Sequence, residues 1–276
     1  MKPEFPDLDR LLERVARSFH LSLRLLPRAV RPTLSLAYLL ARASDSIADV
    51  ANAPEGLLIE LLNGLPSSWP HQFPSALESL AGAERKLLEE MPALLEMLRA
   101  SPDRREIESV WETIRGGQIF DLKKFPSPSP LPLEEARRYT GLVAGCVGEF
   151  WTDVCFKHIP DYSLKTRDEM RRLGFSFGCG LQWINILRDR PADKGAGRVY
   201  FSPELFPEVV SITRSHLSDG GCYCEAVRPR RLRAACRLPL ELAAGTLQKI
   251  EASPTGRGIK VGRAFVWKSL AMSLLR

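Results

Sequence analysis

Apolar residues recur at steps of three and four along most of the chain, the period of one helix face. The recurrence predicts helices at about residues 8–24, 28–50, 75–99, 103–123, 133–157, 164–190, 225–250 and 259–275. Few segments alternate with the two-residue period of a strand. Between the helical runs lie breaks: Asn52 to Pro54, NGLPSSWPHQFPS, Ser101-Pro102, PSPSPLP at 126–132 and HIPDYS at 158–163. Proline lacks an amide donor and restricts the residue before it, so the 21 prolines punctuate the helices rather than argue against them. With no repeat of fixed period, the expectation is a single all-α domain over residues 1–276.

Composition agrees with such a chain. The 45% apolar and 26% charged residues are globular proportions, and 276 residues suffice for a sizeable core. No run of about 18 uninterrupted apolar residues occurs, so no spanning helix is expected. The N-terminal MKPEFPDLDRLLERVARSF carries charges throughout and lacks the apolar stretch of a secretion signal, which points to the cytoplasm. The six cysteines have no C-x-x-C spacing and read as thiols, and GGCYCE, with Cys222 and Cys224, reads mainly as a glycine-marked loop. Thirty-nine basic against 33 acidic side chains leave +6, which calls for an anionic partner: nucleic acid, anionic lipid or a phosphorylated small molecule.

Two helices narrow that choice. In LSLAYLLARASDSIADV, Tyr38, Arg42, Asp45 and Asp49 follow at steps of four, three and four residues, which puts them on one stripe of an otherwise apolar helix. Charges placed this way are buried or line a cavity, and two buried carboxylates need a cation. Either Arg42 pairs with both aspartates, or a metal does. In FGCGLQWINILRDRPADKGAGRVYF, Gln182, Asn185, Asp189 and Asp193 repeat the pattern, although Pro191 is expected to kink or end the helix near Asp189. Lys194, Arg198 and Tyr200 follow as phosphate donors. Two aspartate pairs on apolar helices fit walls of a Mg²⁺–diphosphate site, because Mg²⁺ favours carboxylates together with substrate phosphate oxygens.

At these residues the chain resembles the squalene/phytoene synthase family. ARASDSIAD is similar to that family's first aspartate motif and LQWINILRDRPADKGAGRVYF to its second. RSFHLSLRLLP, GGQIFDLKKF and YTGLVAGCVGEF resemble its N-terminal, middle and central-helix signatures, in the expected order. The resemblance implies a helical bundle around an apolar cavity, with the aspartates at its mouth. It makes Asp45, Asp49, Asn185, Asp189 and Asp193 the metal-binding set. Ser18, Arg42, Arg198 and Tyr200 become diphosphate contacts, Phe19, Gln182 and Asn185 further substrate-binding residues, and Tyr139 the residue that assists ionisation and proton handling. Phe19, Leu23, Val143, Val147, Phe175, Phe177 and Leu181 are candidates for the apolar walls, and each could equally be ordinary core. Gly141, Gly145 and Gly148 either ease helix packing or leave room for a prenyl chain. Asp121 reads as a surface carboxylate at a helix end, Asp153 has no assigned role, and His20, His71, His158 and His216 read as structural or exposed.

The wording is most similar to bacterial squalene synthases. The implied reaction joins two farnesyl diphosphates through presqualene diphosphate, followed by NADPH reduction, and NADPH rests on the resemblance alone. GFSFGCG lies inside a helical pattern with no preceding strand, so it is no dinucleotide fingerprint. Phytoene, dehydrosqualene or presqualene diphosphate synthesis without reduction is the alternative. A rival of another class is a non-catalytic basic scaffold that binds membrane or nucleic acid through RPRRLRAACR. On the enzyme reading nucleic acid is no partner and membrane contact is peripheral, with IKVGRAFVWKSLAMSLLR either at an interface or closing the bundle.

Overall fold

The computed structural model describes residues 7–16, 19–50, 53–127 and 129–253. Its α-helices are α1 (Leu8–Val15), α2 (Phe19–Leu25), α3 (Arg31–Ala48), α4 (Glu55–Gly64), α5 (Gly82–Glu89) and α6 (Met91–Ala100). They continue with α7 (Arg104–Lys124), α8 (Leu133–Thr140), α9 (Cys146–His158), α10 (Arg167–Gly195), α11 (Phe206–Ala226) and α12 (Arg230–Ala252). A π-helical stretch, Gly141–Gly145, joins α8 to α9. The expected all-α class is what the described residues form. The predicted helix at 259–275 lies outside them.

Two helices escape the periodicity. In α4, EGLLIELLNG is apolar on nearly every side and sits between prolines, so it reads as part of a break. In α11, glycines and β-branched residues mask the helix, and GGCYCE is its last turns, not a loop. Gly220 is there for packing: a Cβ on it would lie 2.6 Å from the Phe177 ring on α10. Pro191 does not end α10 either, since the helix runs four residues further to Gly195. So late in the helix, the missing amide forfeits one intrahelical hydrogen bond and the rest of the turn continues.

α10 is the axis of the bundle, about 43 Å long at 1.5 Å per residue. Thr166 and Glu169 begin it with a reciprocal capping box. It meets α9 backbone to backbone: a Cβ on Gly148 would fall 1.8 Å from the Gly174 carbonyl oxygen, and one on Gly178 2.1 Å from that of Ala144. Gly141 and Gly145 receive the Phe175 ring, so packing is what these two glycines serve.

One end of the bundle is closed by satisfied polar groups. Asp103, 1% exposed before α7, accepts from Thr33 Oγ1 of α3 at 2.5 Å, His158 Nε2 of α9 at 2.8 Å and Lys157 Nζ at 2.8 Å. Tyr223 of α11 joins Tyr162 (2.5 Å) and Thr152 of α9 (2.9 Å). His158 is thus structural, and Asp153 ties α9 to Arg167 and Arg171 of α10. Helix direction puts the other ends of α3, α7 and α10, with their aspartates, at the opposite end. All six cysteines are free thiols. Among the described residues, no helix is long and apolar enough to cross a membrane.

Candidate active site

Between α2, α3, α7, α9, α10 and α12 lies a cavity of about 450 Å³. Its walls include Phe19, Leu23, Val143, Val147, Phe177 and Leu181, six of the seven expected apolar residues. Phe175 is not among them: it lies 38% exposed on the outer face of α10, over Gly141 and Gly145. Arg42, Asp45, Tyr139, Gln182 and Asn185 also line the cavity. Asp49, Asp189, Asp193, Arg198 and Tyr200 stand outside its lining, near the rim, and Ser18 lies outside the described residues.

The rim carboxylates are poorly compensated. Asp45 is enclosed by protein, yet its carboxylate is still 44% exposed into the opening. Burial first, and then the charge of Asp49, push its pKa up to about 6 against the pull of Arg42. Asp193 is likewise pushed up to about 6, by burial and then by Asp189, with Asp49 and Asp121 adding to the effect. The two aspartate-bearing helix ends therefore feel one another across the mouth. Arg42 does not pair with both aspartates of its helix: it holds Asp45 and Glu84 of α5. Asp49 pairs instead with Arg198 at 3.2 Å, and Asp189 with its neighbour Arg188. Burial works against the Arg198 cation, but Asp121 and Asp49 outweigh it and raise its pKa.

Behind the rim stands an aromatic stack that the sequence left incomplete. Tyr139 lies 5.2 Å from Tyr200, ring centre to ring centre, and Tyr200 donates to Asp121 Oδ1 at 2.7 Å. Arg198 approaches the other Asp121 oxygen at 3.8 Å. Asp121 is a half-buried member of this network rather than a surface carboxylate. Its signal was its spacing from Gln118 and Ile114, which line the cavity one and two turns earlier on α7. Burial, then the Asp121 charge, raise the Tyr139 pKa, so its hydroxyl keeps its proton. Tyr38, the first residue of the polar stripe, lines the cavity stacked on Phe19 at 5.2 Å, and Gln118, whose buried Oε1 has no hydrogen-bond partner, is a further cavity residue the sequence did not single out.

As donors, four aspartates and Asn185 are hard oxygen ligands of the kind Mg²⁺ takes. Among the described residues, no three His, Cys, Asp or Glu side chains converge to cage a metal. The arrangement fits ions shared between one or two carboxylates and a ligand's phosphates better than a closed protein site. The glycines of 174–180 are taken up by packing: Gly174 against Gly148, Gly178 against Ala144 and Gly180 against His216 of α11, with no cradle left for a nucleotide there.

The profile described as "Squalene/phytoene synthase" matches residues 12–209. The chain belongs to the squalene/phytoene synthase family. The family is one of prenyltransferase-type enzymes of isoprenoid biosynthesis, which is the family its motifs implied. Among its relatives, the bifunctional lycopene cyclase/phytoene synthase of Colletotrichum graminicola is 30% identical over 201 residues, 68% of this chain and 33% of the relative. The phytoene synthase of Mycobacterium tuberculosis is 29% identical over 239 residues, 86% of this chain and 68% of the relative. The chain thus spans about a third of the first of these. A solved TcSQS complex with the ligand E5700 superposes with a TM-score of 0.78 at 19% identity, over 97% of this chain and 85% of that one, which shows a shared fold.

Proposed function

We propose that this member of the family joins two prenyl diphosphates head to head, with farnesyl diphosphate as substrate and squalene as product. The observation that carries the reading is the pair of aspartate-bearing helix ends, with Asp45 and Asp193 only partly compensated by Arg42 and Arg198, at the mouth of an apolar cavity. Arg42 and Arg198 bind the diphosphate, and Asp45, Asp49, Asn185, Asp189 and Asp193 would hold Mg²⁺. When bound, Mg²⁺ offsets the negative charge that develops on the departing pyrophosphate. Tyr139 Oη, kept protonated, donates toward the leaving oxygen, while Tyr200 and Asp121 fix its ring and back its hydroxyl. The apolar walls exclude water from the allylic cation, and the free Gln118 carbonyl turns a partial negative charge toward it.

The phytoene-synthase relatives favour a second reading, in which geranylgeranyl diphosphate is used and the product forms by proton loss. Incubation with farnesyl or geranylgeranyl diphosphate and Mg²⁺, with and without NADPH, followed by mass analysis, separates the two. Lack of any C30 or C40 product would falsify both. The single-domain organisation of residues 1–276 and a cytoplasmic location belong to the same proposal. So does peripheral membrane contact at the closed end, where Leu164, 72% exposed, stands beside the exposed Arg228, Arg230 and Arg231. That placement is supported by the pairing of Leu164 N with the Ala226 carbonyl and Arg228 N with the Tyr162 carbonyl.

A further inference from the structure

A second cavity, of about 420 Å³, opens between the end of α4, α6 and α7, away from the aspartate mouth. Arg99, Arg104 and Arg115 line it, with Glu108 and Glu112. Arg115 is the anomaly. Its side chain is only 8% exposed, its Nη1 donates to the Leu62 carbonyl, its guanidinium lies 5.4 Å over Trp111, and its Nε has no hydrogen-bond partner. Among the described residues, no carboxylate forms an ion pair with it, whereas Arg104 is paired with Glu108 and Arg99 with Glu96. Burial pulls its pKa down, and the charge of Glu112 opposes this without outweighing it. A buried cation without a counter-charge is among the least favourable arrangements a fold can keep. It is tolerable where an anion arrives.

We propose that this cavity binds the phosphoryl group of an anionic ligand, held by the guanidinium of Arg115 and by Arg99 and Arg104 at its rim. Guanidinium forks match phosphate oxygens in pairs. The pairs of Arg99 and Arg104 are exposed and weak, so both side chains can turn to a stronger acceptor. With Glu96 paired to Arg99 from beside the lining and Glu108 to Arg104, Arg115 is the guanidinium of the cavity left without a salt bridge. Leu95 and Leu98 add an apolar wall on which a lipid or prenyl stem can lie. The shared chemistry is a phosphoryl group, free or carried as a lipid headgroup. The site does not depend on which reaction the aspartate mouth performs.

The test is calorimetric titration of the full chain with inorganic pyrophosphate in EDTA, paired with flotation on phosphatidylcholine vesicles with and without phosphatidic acid. Saturable binding that weakens about tenfold in Arg115→Met and in Arg99→Ala/Arg104→Ala, and is kept in Arg198→Ala, is the expected result. Loss of pyrophosphate binding in these variants identifies a free anion, and loss of vesicle binding alone identifies a headgroup. Arg115→Met should be as heat-stable as the wild type or more so, because an uncompensated buried charge is removed. If it does not fold, the rim pair Arg99→Ala/Arg104→Ala decides. Binding lost in Arg198→Ala but kept in the other variants, or absent for both probes, overturns the proposal. Product formation from prenyl diphosphates, assayed separately, keeps failure of the main reading distinct.

Discussion

Asp103 and Asp45 are both aspartates set among apolar helices, at opposite ends of the bundle. Asp103 receives three donors from α3 and α9, which overcome the cost of burial and hold its carboxyl down at about 2. Asp45 shares Arg42 with Glu84, faces Asp49, and is pushed up to about 6. The closed end spends its donors on stability, and the open end withholds them. Carboxylates left short of partners in a cavity mouth are poised for a cation that the protein itself does not supply.

Substitutions at the two ends should therefore act oppositely. Asp45→Asn and Asp189→Asn should each lower kcat/KM on the order of 10²–10³-fold, measured with prenyl diphosphate and Mg²⁺. Asp103→Ala should cost about 3 kcal/mol in urea unfolding, because Lys157, His158 and Thr33 lose their common acceptor, with little change in kcat per folded molecule. An Asp103 variant that stays stable but loses activity would erase the distinction. Tyr200→Phe, which leaves Asp121 without its 2.7 Å donor, should lower kcat about tenfold and change stability by about 1 kcal/mol.

The metal-free protein gives a finer contrast. Asp193→Asn and Asp45→Asn should raise stability near pH 7.5 by about 1 kcal/mol, a figure discounted because Asp45 is 44% exposed. The sign follows from the proton balance. Between about pH 4 and 6 folded Asp45 and Asp193 hold protons that the unfolded chain has released, so stability rises as pH falls through about 6. Asp103 works the other way: its contribution is complete above about pH 4 and is lost as pH falls toward about 2. A thermal-melt series without divalent metal should show the first effect in the wild type and not in the double variant Asp45→Asn/Asp193→Asn. The smallest effect expected is on vesicle flotation. Leu164→Glu and Arg228→Glu should each weaken binding to anionic vesicles about fivefold.

Much of the fold was legible because amphipathic helices announce themselves locally. The failures have local causes as well: α4 is apolar on too many sides to show a stripe, and the glycine pair of α11 signals a loop although Gly220 is making room for Phe177. The aspartate stripes were legible because a helix fixes which residues share a face. Their partners were not. Arg42 takes Glu84 from forty-two residues away, and Asp121 looked like a surface group until Tyr200 and Arg198 met it.

The sequence by itself determined the all-α class, the spacing of Asp45 with Asp49 and of Asp189 with Asp193, and the family. Each depends on helical geometry or on motif order, which neighbours in the chain specify. Only the tertiary structure decided which carboxylates are satisfied and which are not, that Phe175 points away from the cavity, and that Arg115 is buried beside a second one. Burial and pairing depend on which helices pack together, and the electrostatic consequence of a charge depends on burial and pairing.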